Sequence, residues 1–347
     1  MKEVKMNGSA LGLGLGIETS CDETSVSVVA GGSKILSNSV YSQISEHAPF
    51  RGVVPEIASR SHLEKINSVY HEAITKAAVL PEDIEYVSVS SRPGLVGSLM
   101  VGAQFAKCFS MVYDVPLIAL NHLEAHFYSL LLEDRFPDYP FLGLLLSGGN
   151  SSIYIVHDVG KMELIADTYD DAIGEAFDKT AAVLSLPYPG GPEIEKCAGR
   201  YLPSKGAPPL FGRLLKGISG EDLGFSFSGI KTAVLRANHE KREKSRICHD
   251  FQNSVFELVE RMVIRAVNVT GIRCVVASGG VLANETLRLR LKKIAEREGL
   301  DIRHPVDRIL CTDNAGMVAA LGFKLWISGF RSEFNFSVSS KRFDVAV

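Results

Sequence analysis

The sequence predicts an α/β protein built from two similar domains, on three observations. Apolar runs of strand length alternate with amphipathic helical stretches along the whole chain. A strand, polar turn and strand occur twice, about 130 residues apart, which is the length of one domain. A third apolar run ends in a Ser-Gly-Gly turn and then a long amphipathic helix, an arrangement suited to binding an anion or nucleotide. With 347 residues the chain has material for two buried cores.

Taken in order, residues 11–17 (LGLGLGI), the polar cluster ETSCDETS and the run VSVVA predict a β-hairpin. Residues 53–78 read as a helix entered through a proline, and 101–112 as another, after a glycine loop at Pro93, Gly94 and Gly97. FLGLLL at 141–146, followed by SGGNSS and IYIV, repeats the hairpin plan. Residues 186–230 are the richest in proline and glycine and read as an irregular excursion. After the strand IRCVVA, Ser278, Gly279 and Gly280 precede a helix whose first turn holds Asn284, with free backbone N–H groups expected there. The last helix, 314–328, would pack back on a domain. The expected division is a first domain of residues 11–135, joined by the returning helix 314–330, and a second of residues 136–313 with an insertion at about 186–230.

Composition narrows the function classes. Against 40 acidic residues stand 37 basic ones, so the net charge of −3 does not draw the whole molecule to a polyanion. Any nucleic acid must meet a local basic face or a partner subunit. The run Lys241, Arg242, Lys244 and Arg246 reads as a solvated helix face. Six scattered cysteines without a C-x-x-C pair favour a reducing compartment. The absence of a signal-like start or an apolar run near the ~18 residues of a bilayer span predicts a cytoplasmic protein with no membrane partner.

The strongest chemical signal is Asn121-His122-Leu123-Glu124-Ala125-His126. Histidines at i and i+4 share one helical face and suit metal capture. Glu124 stands roughly 200° round the helix from His122, the wrong side for the general base of a metalloprotease. One histidine could equally be a helix cap or an interface residue and the other an exposed one. A third ligand must come from elsewhere, and Asp313 in CTDNA is a candidate, with a helix N-cap as its alternative role. Two imidazoles and a carboxylate fit iron or zinc better than magnesium. The turns at Ser147–Gly149 and Ser278–Gly280 let backbone amides approach a phosphate, although neither is a Walker A loop. Asp171, Glu175 and Asp178 fall at i, i+4 and i+7. They could bind ligand hydroxyls or form a solvated face paired with Lys179.

GIETSCDETSVSV, VVPEIASRSH, SRPGLVGSL, NHLEAH, LLLSGGNSSI, DDAIGEAFDKTA, YPGGP, FSFSGIKT, SGGVLANETLR and CTDNAGM occur in this order. Together they resemble the TsaD/OSGEP family of tRNA threonylcarbamoyladenosine synthases. The resemblance implies the two-lobed actin/Hsp70/sugar-kinase-like (ASKHA) fold with duplicated domains and a central nucleotide and metal cleft. The implied reaction carries threonylcarbamoyl from threonylcarbamoyl-adenylate to the exocyclic amine of adenosine 37 of tRNA, releasing AMP. It implies one divalent metal per chain, Fe(II) before Zn(II), on His122, His126 and Asp313. Adenylate contacts are implied at Leu145, Leu146, Ser147, Gly148, Gly149, Asp178, Gly191 and Asn284. Glu195 stands where many members carry an aspartate facing the ribose, Asn150 where many have histidine, Asn121 where histidine or tyrosine is common, and Arg92 where a small residue is common. Glu23 is a hypothesised polar group near the reacting centre. The implied partners are tRNA, a catalytically silent TsaB-like paralogue and a small TsaE-like P-loop ATPase. The competing readings are a kinase or ATPase of the same fold using Mg-nucleotide, a metalloprotease and a non-enzymatic scaffold.

Overall fold

The computed structural model describes residues 12–203, 208–212 and 223–342. These divide into two compact units, one of described residues 12–47, 53–136 and 313–342, the other of 48–52 and the described residues from 137 to 312. Asp313 thus groups with the first unit, together with the helix that follows it.

The strands of the first unit are β1 (Leu13–Glu18), β2 (Glu23–Ala30), β3 (Lys34–Ser42), β4 (Tyr86–Arg92) and β5 (Leu117–Asn121). They form one sheet in the order β3-β2-β1-β4-β5. The meander β1, β2, β3 is antiparallel, and β4 and β5 join it in parallel. Helices α1 (Ile44–His47), α2 (Pro55–Ala77), α3 (Val96–Tyr113) and α4 (His122–Tyr128) follow in chain order. Helix α3 starts five residues earlier than expected, so Gly97 lies within it; a Cβ there would fall 2.5 Å from Ser59 Oγ of α2.

The repeat LGLGLG explains how helices cover both faces of this sheet. Side chains alternate along a strand, so Leu15 and Ile17 enter the core with α2 and α3. Two of the glycines face the returning helix: a Cβ on Gly16 would lie 2.1 Å from Ala315 O, and one on Gly12 2.6 Å from the Trp326 ring, while Gly14 makes room for the Tyr86 ring. Bare backbone on that face lets the last helix settle directly on the sheet.

The second unit has β6 (Phe141–Leu146), β7 (Ser151–Asp158), β8 (Lys161–Thr168), β9 (Gly224–Phe225), β10 (Cys274–Ser278) and β11 (Asp301–Arg303). Their order is β11-β10-β6-β7-β8-β9. An antiparallel meander, β6 to β8, again meets two parallel strands, β10 and β11. The duplication visible in the sequence is therefore a duplication of topology, with β9 added. Helices α5 (Ile173–Val183), α6 (Gly190–Ala198), α7 (Ser228–His239), α8 (Lys244–Thr270) and α9 (Glu285–Glu298) belong to this unit, and α10 (Ala315–Ile327) to the first.

Three sequence expectations change here. The segment 186–230 contains α6, β9 and the start of α7, so its described part is not wholly irregular; 204–207 and 213–222 lie outside the described residues. Asp171 precedes α5 and does not share a helical face with Glu175 and Asp178. Asn284 is the N-cap of α9, after a 3-10 turn at Gly280–Ala283, and is not inside the first turn. Lys241, Arg242 and Lys244 are exposed, as a solvated face would be. Among the described residues no helix is long and apolar enough to cross a membrane.

Candidate functional site

In the first unit β5 runs directly into α4. Asn121 ends the strand and caps the helix, its Oδ1 accepting from Leu123 N at 2.8 Å. The i, i+4 spacing then sets His122 beside His126, edge to face, with ring centroids 4.8 Å apart. Asp313 immediately precedes the cap of α10. The N-cap is Asn314, whose Oδ1 accepts from Met317 N at 3.1 Å, so Asp313 does not take the capping role offered to it as an alternative. Its Oδ1 lies 3.6 Å from His122 Nε2 and 3.2 Å from His126 Nε2. One potential ligand atom from each residue lies within 4.8 Å of the others. Glu124 is buried in the helix and stands outside this group.

A residue absent from the expected site completes it. Glu18, at the end of β1 and fully buried, places Oε2 2.8 Å from His122 Nδ1. The same oxygen accepts from the Ser90 hydroxyl, and Oε1 accepts from Ser20 N at 2.6 Å. A carboxylate at Nδ1 holds the proton on that nitrogen and so would leave the Nε2 lone pair to a bound metal. Burial opposes protonation of His122, but the Glu18 and Asp313 charges outweigh it and raise its pKa to about 9. Asp313 moves the other way, to about 2: burial would raise it, and the two histidines more than reverse that. Two imidazole nitrogens converging with one carboxylate oxygen, supported by a second carboxylate behind one ring, fit a divalent transition metal. Hard Mg2+ prefers an all-oxygen shell.

Glu23 begins β2, where one carboxylate oxygen accepts from the Ser42 hydroxyl at 3.3 Å. Burial, then the adjacent Asp22 and Asp313 carboxylates, push its pKa well above the ordinary carboxylate range. A carboxylate so shifted is a stronger base than an exposed one.

In the second unit a cavity of about 290 Å³ is lined by Gly148, Asp178, Gly191, Glu195, Asn284 and Arg308, among others. Five of these six are positions named from the sequence; Arg308 is not. Nothing lies within 4 Å of a Cβ built on Gly148, Gly191 or Gly280, so all three backbones face open space. Gly279 adopts φ +100°, a conformation side chains disfavour, and packs its backbone against Leu146 O. Ser147 shapes the turn, its N donating to Asn150 O at 2.8 Å and its Oγ accepting from Asn150 N at 3.1 Å. Gly149 belongs to the same turn. Leu145 and Leu146 do not line the cavity; their side chains are wholly buried in the sheet.

The expectation of free N–H groups at the start of α9 is corrected as well. Glu195 Oε1 accepts from Glu285 N at 2.8 Å and Thr286 N at 3.3 Å, and Asn284 Oδ1 accepts from Leu287 N. The helix dipole is answered by a protein carboxylate. Asn284 also donates from Nδ2 to Gln252 Oε1 at 3.0 Å, and Asp178 Oδ1 accepts from Gly190 N at 2.6 Å. Cationic character at the cavity comes from Arg308, whose Nη2 lies 2.9 Å from Glu285 Oε2. Asp171 pairs with Lys179 at 2.9 Å and with Lys231, while Asp170 accepts from Phe227 N, Ser228 N and the Ser226 hydroxyl. These two carboxylates tether the start of α7, a structural use of the FSFSGIKT motif.

A family model described as "TsaD: tRNA N6-adenosine threonylcarbamoyltransferase" matches residues 34–320. A protein of that printed name from Leptospira interrogans (serovar copenhageni) is 52% identical over 335 residues, covering 96% of this chain and 99% of its own. Another from Symbiobacterium thermophilum is 42% identical over 335 residues, covering 95% and 96%. The crystal structure of full-length HypF in its phosphate- and nucleotide-bound form superposes with a TM-score of 0.60 at 16% identity, over 90% of this chain and 55% of that one. At that identity the likeness speaks for the fold, which is the ASKHA fold. The chain belongs to the TsaD family of tRNA N6-adenosine threonylcarbamoyltransferases.

Proposed function

We propose that this chain is the transferase that moves threonylcarbamoyl from threonylcarbamoyl-adenylate to the exocyclic amine of adenosine 37 in tRNA, with release of AMP. The observation that carries this reading is 52% identity across 96% of the chain to a relative of that name. The amine nitrogen forms a bond to the carbamoyl carbon, the bond from that carbon to the phosphate oxygen breaks, and the amine gives up a proton. AMP is a good leaving group, so holding the reactants in place contributes more than strong base catalysis.

Chain residues divide the work. Gly148, Gly191 and Gly280 offer exposed backbone to the adenylate. Asp178 and Glu195 offer carboxylates to the ribose hydroxyls, and Arg308 faces the phosphate with its guanidinium. Ser147 and Gly149 hold the shape of the turn. Leu145 and Leu146 act only by anchoring it to the sheet. Asn284 supports the cavity wall. Glu23, made more basic by its setting, is the candidate acceptor for the amine proton. His122, His126 and Asp313 would hold one divalent ion per chain, Fe2+ before Zn2+. When bound, the ion supplies Lewis-acid stabilisation of developing negative charge.

Because the net charge of the chain is −3, tRNA is held through local Lys and Arg and through partner subunits, a TsaB-like paralogue and a TsaE-like P-loop ATPase. The cytoplasm, where tRNA and reduced thiols coexist, is the compartment. Incubating the purified chain with threonylcarbamoyl-adenylate and an unmodified tRNA reading ANN codons should yield the modified nucleoside, detected by mass spectrometry after digestion. No product with every partner present rejects the reading.

A further inference from the structure

Residues 330–342 follow α10 and run along β5, the last strand at its end of the first sheet. An edge strand exposes backbone groups that need a cover. Ser332 supplies it twice: its N donates to Leu117 O and its Oγ accepts from Ala119 N, both at 2.8 Å. Phe336 then packs against the core of the unit, and Lys107 Nζ lies 4.3 Å from its ring centroid and 3.2 Å from its carbonyl oxygen. Farther on, Ser339 N donates to Ser91 O at 3.0 Å, and Arg342 O accepts from Asn121 Nδ2 at 2.8 Å.

Asn121 is the residue where this path meets the metal ligands. Its Oδ1 caps α4 through Leu123 N, and its Nδ2 is held by the tail. A carboxamide restrained at both ends cannot rotate or flip out of the capping position, and His122 is the very next residue. We propose that the C-terminal tail is a positioning strap for the metal helix: through the Arg342 carbonyl it locks Asn121, and Asn121 fixes the start of α4 and so the presentation of the His122 ring. Asn121 and the tail are positioning elements, outside the group of His122, His126 and Asp313. The inference rests on His122, His126 and Asp313 being the metal ligands.

The test compares the full chain with one ending at Val338, which keeps the Ser332 and Phe336 anchors and loses those of Ser339 and Arg342. A full-length Asn121→Asp variant keeps an acceptor for Leu123 N and loses the donor to the tail. Zn2+ affinity is measured by competition with a chelator, and exchange of the Leu123 amide is measured on the metal-free protein. Both variants should bind Zn2+ about tenfold more weakly, the lower end of what supporting contacts to ligands contribute. Leu123 should exchange severalfold faster, with little change in the global unfolding midpoint. A Zn2+ affinity and Leu123 exchange rate equal to wild type in both variants overturn the strap alone. A full chain that takes up no stoichiometric Zn2+ overturns the ligand assignment and the strap with it. Should the shortened chain fail to fold, Asn121→Asp decides by the same two readings.

Discussion

Glu18→Gln isolates what the buried carboxylate behind His122 contributes. Glu18 accepts three hydrogen bonds: Ser20 N on Oε1, and the Ser90 hydroxyl and His122 Nδ1 on Oε2. A carboxamide has the same shape but one oxygen, so whichever way it turns, its NH2 faces at least one of these donors. A buried donor without an acceptor costs about 1–3 kcal/mol. The negative charge behind the imidazole is lost as well, and supporting contacts of this kind are worth about 10–100-fold in metal affinity, or about 1.4–2.7 kcal/mol. Zn2+ competition titrations should therefore show the variant binding 10 to 100 times more weakly on the order of that range, with a lowered urea midpoint. The reasoning fails if affinity stays within about twofold of wild type, for then the Glu18 to His122 contact does not orient a ligand.

Gly191→Val should leave the fold intact, because nothing lies within 4 Å of the new Cβ, while filling part of the cavity; unchanged thermal unfolding with weakened binding of both AMP and adenosine is expected by calorimetry. Arg308→Ala separates the phosphate from the nucleoside: AMP affinity should fall about tenfold, the scale of one charged hydrogen bond, and adenosine affinity should not move. Equal losses for both ligands would take the guanidinium away from the phosphate. Asp170 has a lowered pKa, since burial would raise it but hydrogen bonds from Phe227, Ser226 and Ser228 more than compensate. Its stabilisation is complete above the unfolded carboxylate pKa and disappears as pH falls through the lower folded value. Asp170→Asn should thus lower the urea midpoint at neutral pH and converge with wild type in acid; a gap independent of pH would contradict this.

Much of the fold was legible because its signals are local. LGLGLG reports alternation directly, and the glycine face anticipates a close neighbour, although only the structure shows that neighbour to be α10. The His122 and His126 pair needs nothing beyond helical spacing. Glu18 could not be found that way. It reaches His122 because β1 and β5 both flank β4, a relation that strand order sets and spacing does not. Asp313 and Asn314 are both good caps, and adjacent in sequence they were indistinguishable; the structure gives the cap to Asn314 and leaves the aspartate beside the histidines. The same limit applies to Glu195. Its carboxylate occupies the start of α9 because α6 comes near it in space, and a sequence window centred on either helix does not contain the other.

The central claim, acyl transfer from an adenylate to tRNA, is tested most directly by counting products. With threonylcarbamoyl-adenylate, unmodified tRNA and the partner subunits present, AMP and modified nucleoside are quantified in the same reaction. Transfer predicts equal amounts of the two, with AMP release dependent on tRNA. AMP formed without modified nucleoside, at a rate indifferent to tRNA, would make the chain a hydrolase of the adenylate and contradict the account.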